Sequence, residues 1–142
     1  MNRFFLAVLL TISVATAAHA QSDDAGPIAT PAGKLQFTRQ GREFTATLDA
    51  TTLDHFNAWT LTHFDDINDH DDVSRMLVDT DAGPVIYDFR SRPPLVLRTA
   101  KGMTIKRVFW QGEEVVMQGS QGWFRYEHGV LTKLQSTTTT YH

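Results

Sequence analysis

The sequence predicts a mainly β fold: an antiparallel meander of short strands forming a small barrel, half-barrel or curved sheet, with one short helix. Three observations lead there. Short runs of alternating apolar and polar residues follow one another from Lys34 onward. Turn signals containing Gly, Pro or Asp separate them at intervals of roughly 8 to 12 residues, the spacing of a barrel or sandwich and not of alternating βα units. The chain has 142 residues, 42% apolar and 20% charged, which suits one domain with a real core and excludes a multi-domain machine, a disordered chain and a collagen.

The first element is a signal for export. Met1 to Arg3 gives a positive start, Phe4 to Val14 an apolar run, and Ala18-His19-Ala20 the small-x-small pattern at which residues 1–20 are expected to be removed. The apolar run is shorter than the ~20 residues that span a bilayer, and no later segment resembles a span, so the mature chain is expected to have none and to be periplasmic or secreted. There is no cysteine, so stability has to come from the core without disulfides.

Residues 21–33, rich in Asp, Gly, Pro and Ala, read as a flexible arm, and the β-rich domain is expected over 34–142. Leu35 and Phe37, then Phe44, Ala46 and Leu48, alternate on either side of Gln40-Gly41 and predict a half-buried hairpin. Thr51-Thr52-Leu53-Asp54 has the form of a capping box and predicts the short helix. Beyond Asn57, Trp59, Leu61 and His63 alternate, so strand competes with helix there, and Phe64 to Asp72 reads as an acidic loop. Strands are expected near Arg75–Val78, Val85–Arg90, Leu95–Arg98, Thr104–Trp110, Glu114–Gln118, Trp123–Tyr126 and Val130–Gln135. The threonine run Ser136 to Thr140 either prolongs the last strand or forms a tail. Gln-Gly-x-Glu occurs at Gln40–Glu43 and again at Gln111–Glu114, too short a match to define a repeat.

Charge is split along the chain. Glu43 to Asp88 holds eleven acids against Arg75 alone, whereas Phe89 to His142 holds eight bases and three acids. If that split survives folding, Asp65, Asp66, Asp69, Asp71 and Asp72 form one docking surface and Arg90, Arg92, Arg98 and Arg107, beside Trp110 and Trp123, another. Guanidinium groups interleaved with rings suit an anionic polymer.

Catalytic signatures are sparse. The donors between His63 and Asp72 miss the offsets of a calcium loop, as do Asp79, Asp81 and Gly83, although an irregular calcium site stays open. Zinc would use His63, His70 and Asp65, with His55 and Asp54 as further donors, but only if the chain folds back on itself. Ser120 lies in Gly-Ser-Gln-Gly, which is a tight turn and not a nucleophile elbow. No phosphate-cradling glycine motif exists, and nucleic acid is not an expected partner.

The leading expectation is an exported soluble binding protein, an inhibitor or accessory factor, recognising a charged partner such as a protein or an anionic envelope polymer. The alternatives are a carrier holding a small apolar or amphiphilic ligand inside a β-barrel and a metal-assisted hydrolase. No cofactor is expected beyond the calcium or zinc that these donors leave open.

Overall fold

A computed structural model describes residues 25–134, which form twelve β-strands and no helix. The export signal, the first residues of the expected arm and the threonine-rich tail lie outside the described residues. The strands make three four-stranded antiparallel meanders in chain order. The first sheet comprises β1 (Ala25–Thr30), β2 (Gly33–Gln40), β3 (Glu43–Leu48) and β4 (Thr51–Asn57). The second comprises β5 (His63–Ile67), β6 (Val73–Thr80), β7 (Gly83–Asp88) and β8 (Leu95–Arg98). The third comprises β9 (Ile105–Gln111), β10 (Glu114–Gly119), β11 (Gly122–Glu127) and β12 (Val130–Lys133). Each sheet is open and no barrel closes among the described residues.

The alternation of side chains explains how the sheets stack. In the first sheet, Leu35, Phe37, Phe44, Ala46 and Phe56 point one way and are buried against Met76, Val78, Val85, Tyr87 and Phe89 of the second sheet and its following turn. The opposite face of the second sheet carries Leu77 and Ile86, which pack with Ile105, Val115, Met117, Phe124 and Tyr126 of the third. The middle sheet is therefore buried on both faces, and β6 and β7 are covered almost throughout. Such strands lose the polar–apolar alternation of a half-exposed strand, and the run Met76-Leu77-Val78 shows it.

Three expectations are corrected. The helix over Thr51–Asn57 is β4, which leaves β3 through a tight turn with Asp49 at φ 48° and Ala50 at φ 70°, the geometry that suits a two-residue hairpin. Asp54, read as the acid of a capping box, instead enters the first interface, where its carboxylate accepts the Tyr87 hydroxyl at 2.7 Å and pairs with Arg98. Burial and the adjacent Asp54 push the Tyr87 hydroxyl far above the usual phenol range, so Tyr87 remains a donor. The flexible arm is ordered from Ala25 as the edge strand β1, in which Pro27 is tolerated because it falls in the register irregularity between Ala25 and Ile28, where ladder pairing is interrupted. The acidic loop begins only after Ile67, since Phe64 packs into the second core and Asp66 pairs across to Arg75 on β6.

The structure also exposes a local repeat. Thr30-Pro31-Ala32-Gly33 and Thr80-Asp81-Ala82-Gly83 close the β1–β2 and β6–β7 hairpins with the same bonds: the Thr hydroxyl donates to the Gly carbonyl at 2.6 Å and accepts the Ala amide at 3.1 Å. Gly83 has φ 112°, and a Cβ there would meet the Lys101 carbonyl oxygen at 2.3 Å, so only glycine lets the connection to the third sheet pass this turn.

Because both cores share β6 and β7, urea unfolding should be one cooperative transition. Leu77→Ala, a truncation on the third-sheet side, should cost about 2–5 kcal/mol. Tyr87→Phe, on the first-sheet side, should cost about 1–3 kcal/mol by leaving one oxygen of the buried Asp54 without its donor, the other still paired with Arg98. Both should move the same single transition, and two separable transitions would contradict the shared middle layer.

Candidate functional site

The strands run so that the two ends of the stack differ. At one end lie both connections between sheets, residues 58–62 and 99–104, together with the β6–β7 and β10–β11 turns. At the other lie the acidic turn 68–72, the β7–β8 connection and the turns after β9 and β11.

The connection end holds a cleft of about 540 Å³, in the size range of small-ligand sites. Its walls are stitched by backbone bonds: the Ala58 amide donates to the Arg42 carbonyl at 3.1 Å, Asp81 to Asn57 at 2.8 Å, Asp79 to Thr62 at 3.0 Å and Ser120 to Thr104 at 2.8 Å. The Ser120 hydroxyl accepts the Thr104 amide at 3.1 Å, which gives this serine a turn-closing role. The cleft is predominantly polar and is lined by Trp59, Thr60, Thr62, Asp79, Thr104 and Ser120.

Two features at this end are unusual for a surface turn region. Trp59 is 71% exposed, and the Arg42 guanidinium lies 3.8 Å from its ring centroid while pairing with Asp81. Asp79, half-buried, accepts the Ile105 amide at 2.9 Å through one oxygen. Burial raises the Asp79 pKa above the ordinary carboxylate value and Asp81 adds to the rise, while the Ile105 amide opposes it.

A smaller cavity of about 230 Å³ at the acidic-turn end has apolar walls from Leu95, Leu97, Val115 and Tyr126 under a charged rim. The rim is an ion-pair chain. Asp88 binds Arg90 through both oxygens, at 2.9 and 2.7 Å, and Arg90 reaches Glu113 on the next sheet's first turn at 3.0 Å. Hydrogen bonding to Arg90 holds Asp88 below the ordinary carboxylate range, and the same partner lowers Glu113.

The candidates expected from sequence scatter over this frame. Asp65 binds the His63 ring at 2.7 Å on the first-sheet side, where that ring stacks on Phe37. Asp66 binds Arg75 on the opposite side. Asp69 and Asp71 are exposed in the acidic turn, and the Asp72 and His70 amides donate to Asn68 Oδ1, so Asn68 closes the loop. His63 and His70 sit at opposite ends of β5, and no group of three His, Asp or Glu among the described residues could hold a metal ion. The metal set His63, His70 and Asp65 is not assembled, because an extended strand separates its histidines.

Of the cations, Arg90 and Arg98 are paired to Asp88 and Asp54. Arg92 is exposed beside the prolines, and Arg107 is exposed on the third sheet's outer face. Trp123 stacks on Phe109 at 6.1 Å on that outer face. Trp110 lies inside under Arg75, at 4.9 Å, and its buried Nε1 finds no acceptor among the described residues. Two acids of the middle segment thus pair with bases of the last one, Asp54 with Arg98 and Asp88 with Arg90, whereas Asp69 and Asp71 in the acidic turn and Arg92 and Arg107 elsewhere stay exposed. Sequence reasoning missed the cleft: Trp59 lay in a segment of ambiguous period, and Asp79 was weighed only as a calcium ligand. The available signal was slight: Asp79 follows the strand expected near Arg75–Val78 and Thr104 opens the one expected at Thr104–Trp110, while Thr60 and Thr62 lie in the segment of ambiguous period.

Asp88 provides a test of the ion-pair chain. Its pKa is lowered on folding, so its contribution is present above the unfolded value of about 3.9 and is lost as pH falls through the lower folded value. Asp88→Asn should cost about 1 kcal/mol at neutral pH, discounted for the partly exposed Arg90. In thermal melts the gap from the parent protein should close below about pH 4. A pH-independent gap would assign the loss to packing.

No family model, no curated protein and no solved structure matches this chain.

Proposed function

We propose that this chain is an exported binding protein that recognises its partner in the cleft at the connection end. The observation that carries the reading is Trp59: a large ring left 71% exposed at the mouth of a polar cleft and backed by a guanidinium. Tryptophan is enriched at recognition hot spots, and this one sits beside a cleft. The basic start, apolar run and Ala18-His19-Ala20 support export to the periplasm or beyond.

The lining of the cleft supports a partner that is neutral or cationic at the contact. Asp79 and Asp81 stand at its wall, and Arg42 is already engaged with Asp81, so a neutral or cationic group rich in hydrogen-bond donors fits better than an anionic polymer. Charge-led docking by separate acidic and basic patches loses Asp66, Arg90 and Arg98, which are committed to ion pairs, and keeps the exposed Asp69, Asp71, Arg92 and Arg107. The carrier alternative loses the barrel interior on which it depends, because Phe37, Phe44, Tyr87 and Met117 fill the spaces between sheets.

The test is a titration of isotope-labelled purified protein with fractionated envelope extract, followed by amide and indole resonances. Saturable shifts should centre on the Trp59 indole and residues 60–62, 102–104 and 120, and Trp59→Ala should weaken the interaction about tenfold or more. Shifts confined to the acidic turn and Glu113, or none from any fraction, would overturn the reading.

A further inference from the structure

We infer that the cleft is a saccharide site, taking a neutral pyranose-bearing ligand whose ring rests on Trp59 while its hydroxyls engage Asp79 and the threonines. This assignment rests on the binding reading above and names its ligand class.

The chemistry of the wall decides among classes. A polyol needs partners that both give and accept hydrogen bonds, and hydroxyl side chains do both. Thr60, Thr62 and Thr104, three hydroxyl-bearing residues, line the one cleft, and all are exposed connection residues. Asp79 spends one oxygen on the Ile105 amide, which fixes its carboxylate and leaves the second for a ligand hydroxyl. A pyranose has one face of C–H groups that packs on an aromatic ring, and Trp59 supplies an exposed ring at the rim. Arg42 lies over that ring and is itself tied to Asp81, so the platform is held before the ligand arrives.

Other classes fit less well. An apolar ligand would strand the threonine hydroxyls and the half-buried Asp79. A phosphate or carboxylate would face Asp79 and Asp81, and the rim guanidinium is already neutralised by Asp81. A cationic peptide would satisfy the acids but would leave the hydroxyl set largely unused.

The experiment titrates the isotope-labelled protein separately with N,N′-diacetylchitobiose, maltose and tetralysine. At least one disaccharide should shift the Trp59 indole and the Thr62 and Thr104 amides saturably. Trp59→Ala should lower its affinity about tenfold. Asp79→Asn and the shape-preserving Thr62→Val should each lower it about threefold to tenfold, whereas Glu113→Gln, at the opposite end of the stack, should leave it unchanged. If tetralysine alone moves the Trp59 indole, the saccharide assignment is wrong while the binding reading stands. If neither disaccharide binds, or if one binds with its shifts away from Trp59, the assignment is also wrong, and the envelope titration above then decides the binding reading independently.

Discussion

The fold depends on burying one sheet on both faces. β6 and β7 give Met76, Val78, Val85 and Tyr87 to the first sheet and Leu77 and Ile86 to the third, so neither outer sheet has a core without them. Four strands with one apolar face cannot bury that face alone, and serial stacking solves the problem without closing a barrel. The chain achieves it with short connections, and both of them land at the same end, beside the β6–β7 turn. The cleft is a by-product of that traffic: it opens where two connections pass a hairpin turn, held by backbone bonds from residues 58, 79, 81 and 120.

Polar groups are placed with the same economy. In the first interface the buried Asp54 joins Tyr87 and Arg98, and at the edge of the second Arg75 meets Asp66 while Arg90 joins Asp88 to Glu113. Buried acids require such partners, because an unpaired charge in the interior is expensive. A consequence is that the division of charge along the sequence is bridged at two points in space, Asp88 with Arg90 and Asp54 with Arg98. Arg98 and Asp54 lie far apart in the chain and adjacent in the fold. The groups on which the proposed recognition rests are local: an exposed ring, a fixed carboxylate and threonine residues at the connection end.

Strand periodicity was legible where one face is buried and the turn is tight. The hairpin about Gln40-Gly41 and the face formed by Val85, Tyr87 and Phe89 follow directly from alternation. Reading failed where tertiary context overrode local signals. Thr51 to Asp54 looks like a helix start, but threonine suits the pleat and Asp54 finds its partners across the interface. Gly26 and Pro27 look like an arm, yet an edge strand accepts them. Asp65 and Asp66 look solvated because alternation between two differently paired acids, one meeting His63 and the other Arg75, leaves no hydrophobic trace. The cleft was illegible for another reason: Trp59, Asp79, Thr104 and Ser120 come from four separate chain segments, and no spacing rule connects them.

Native-state hydrogen exchange measures the doubly buried middle layer most directly, since it reports the opening free energy of each amide. Amides of β6 and β7 should exchange only through global unfolding and should be the slowest in the protein. Exchange of β6 and β7 at a lower opening free energy than β3 or β10 would show that the outer sheets hold together without the middle one, and the three-layer account would fail.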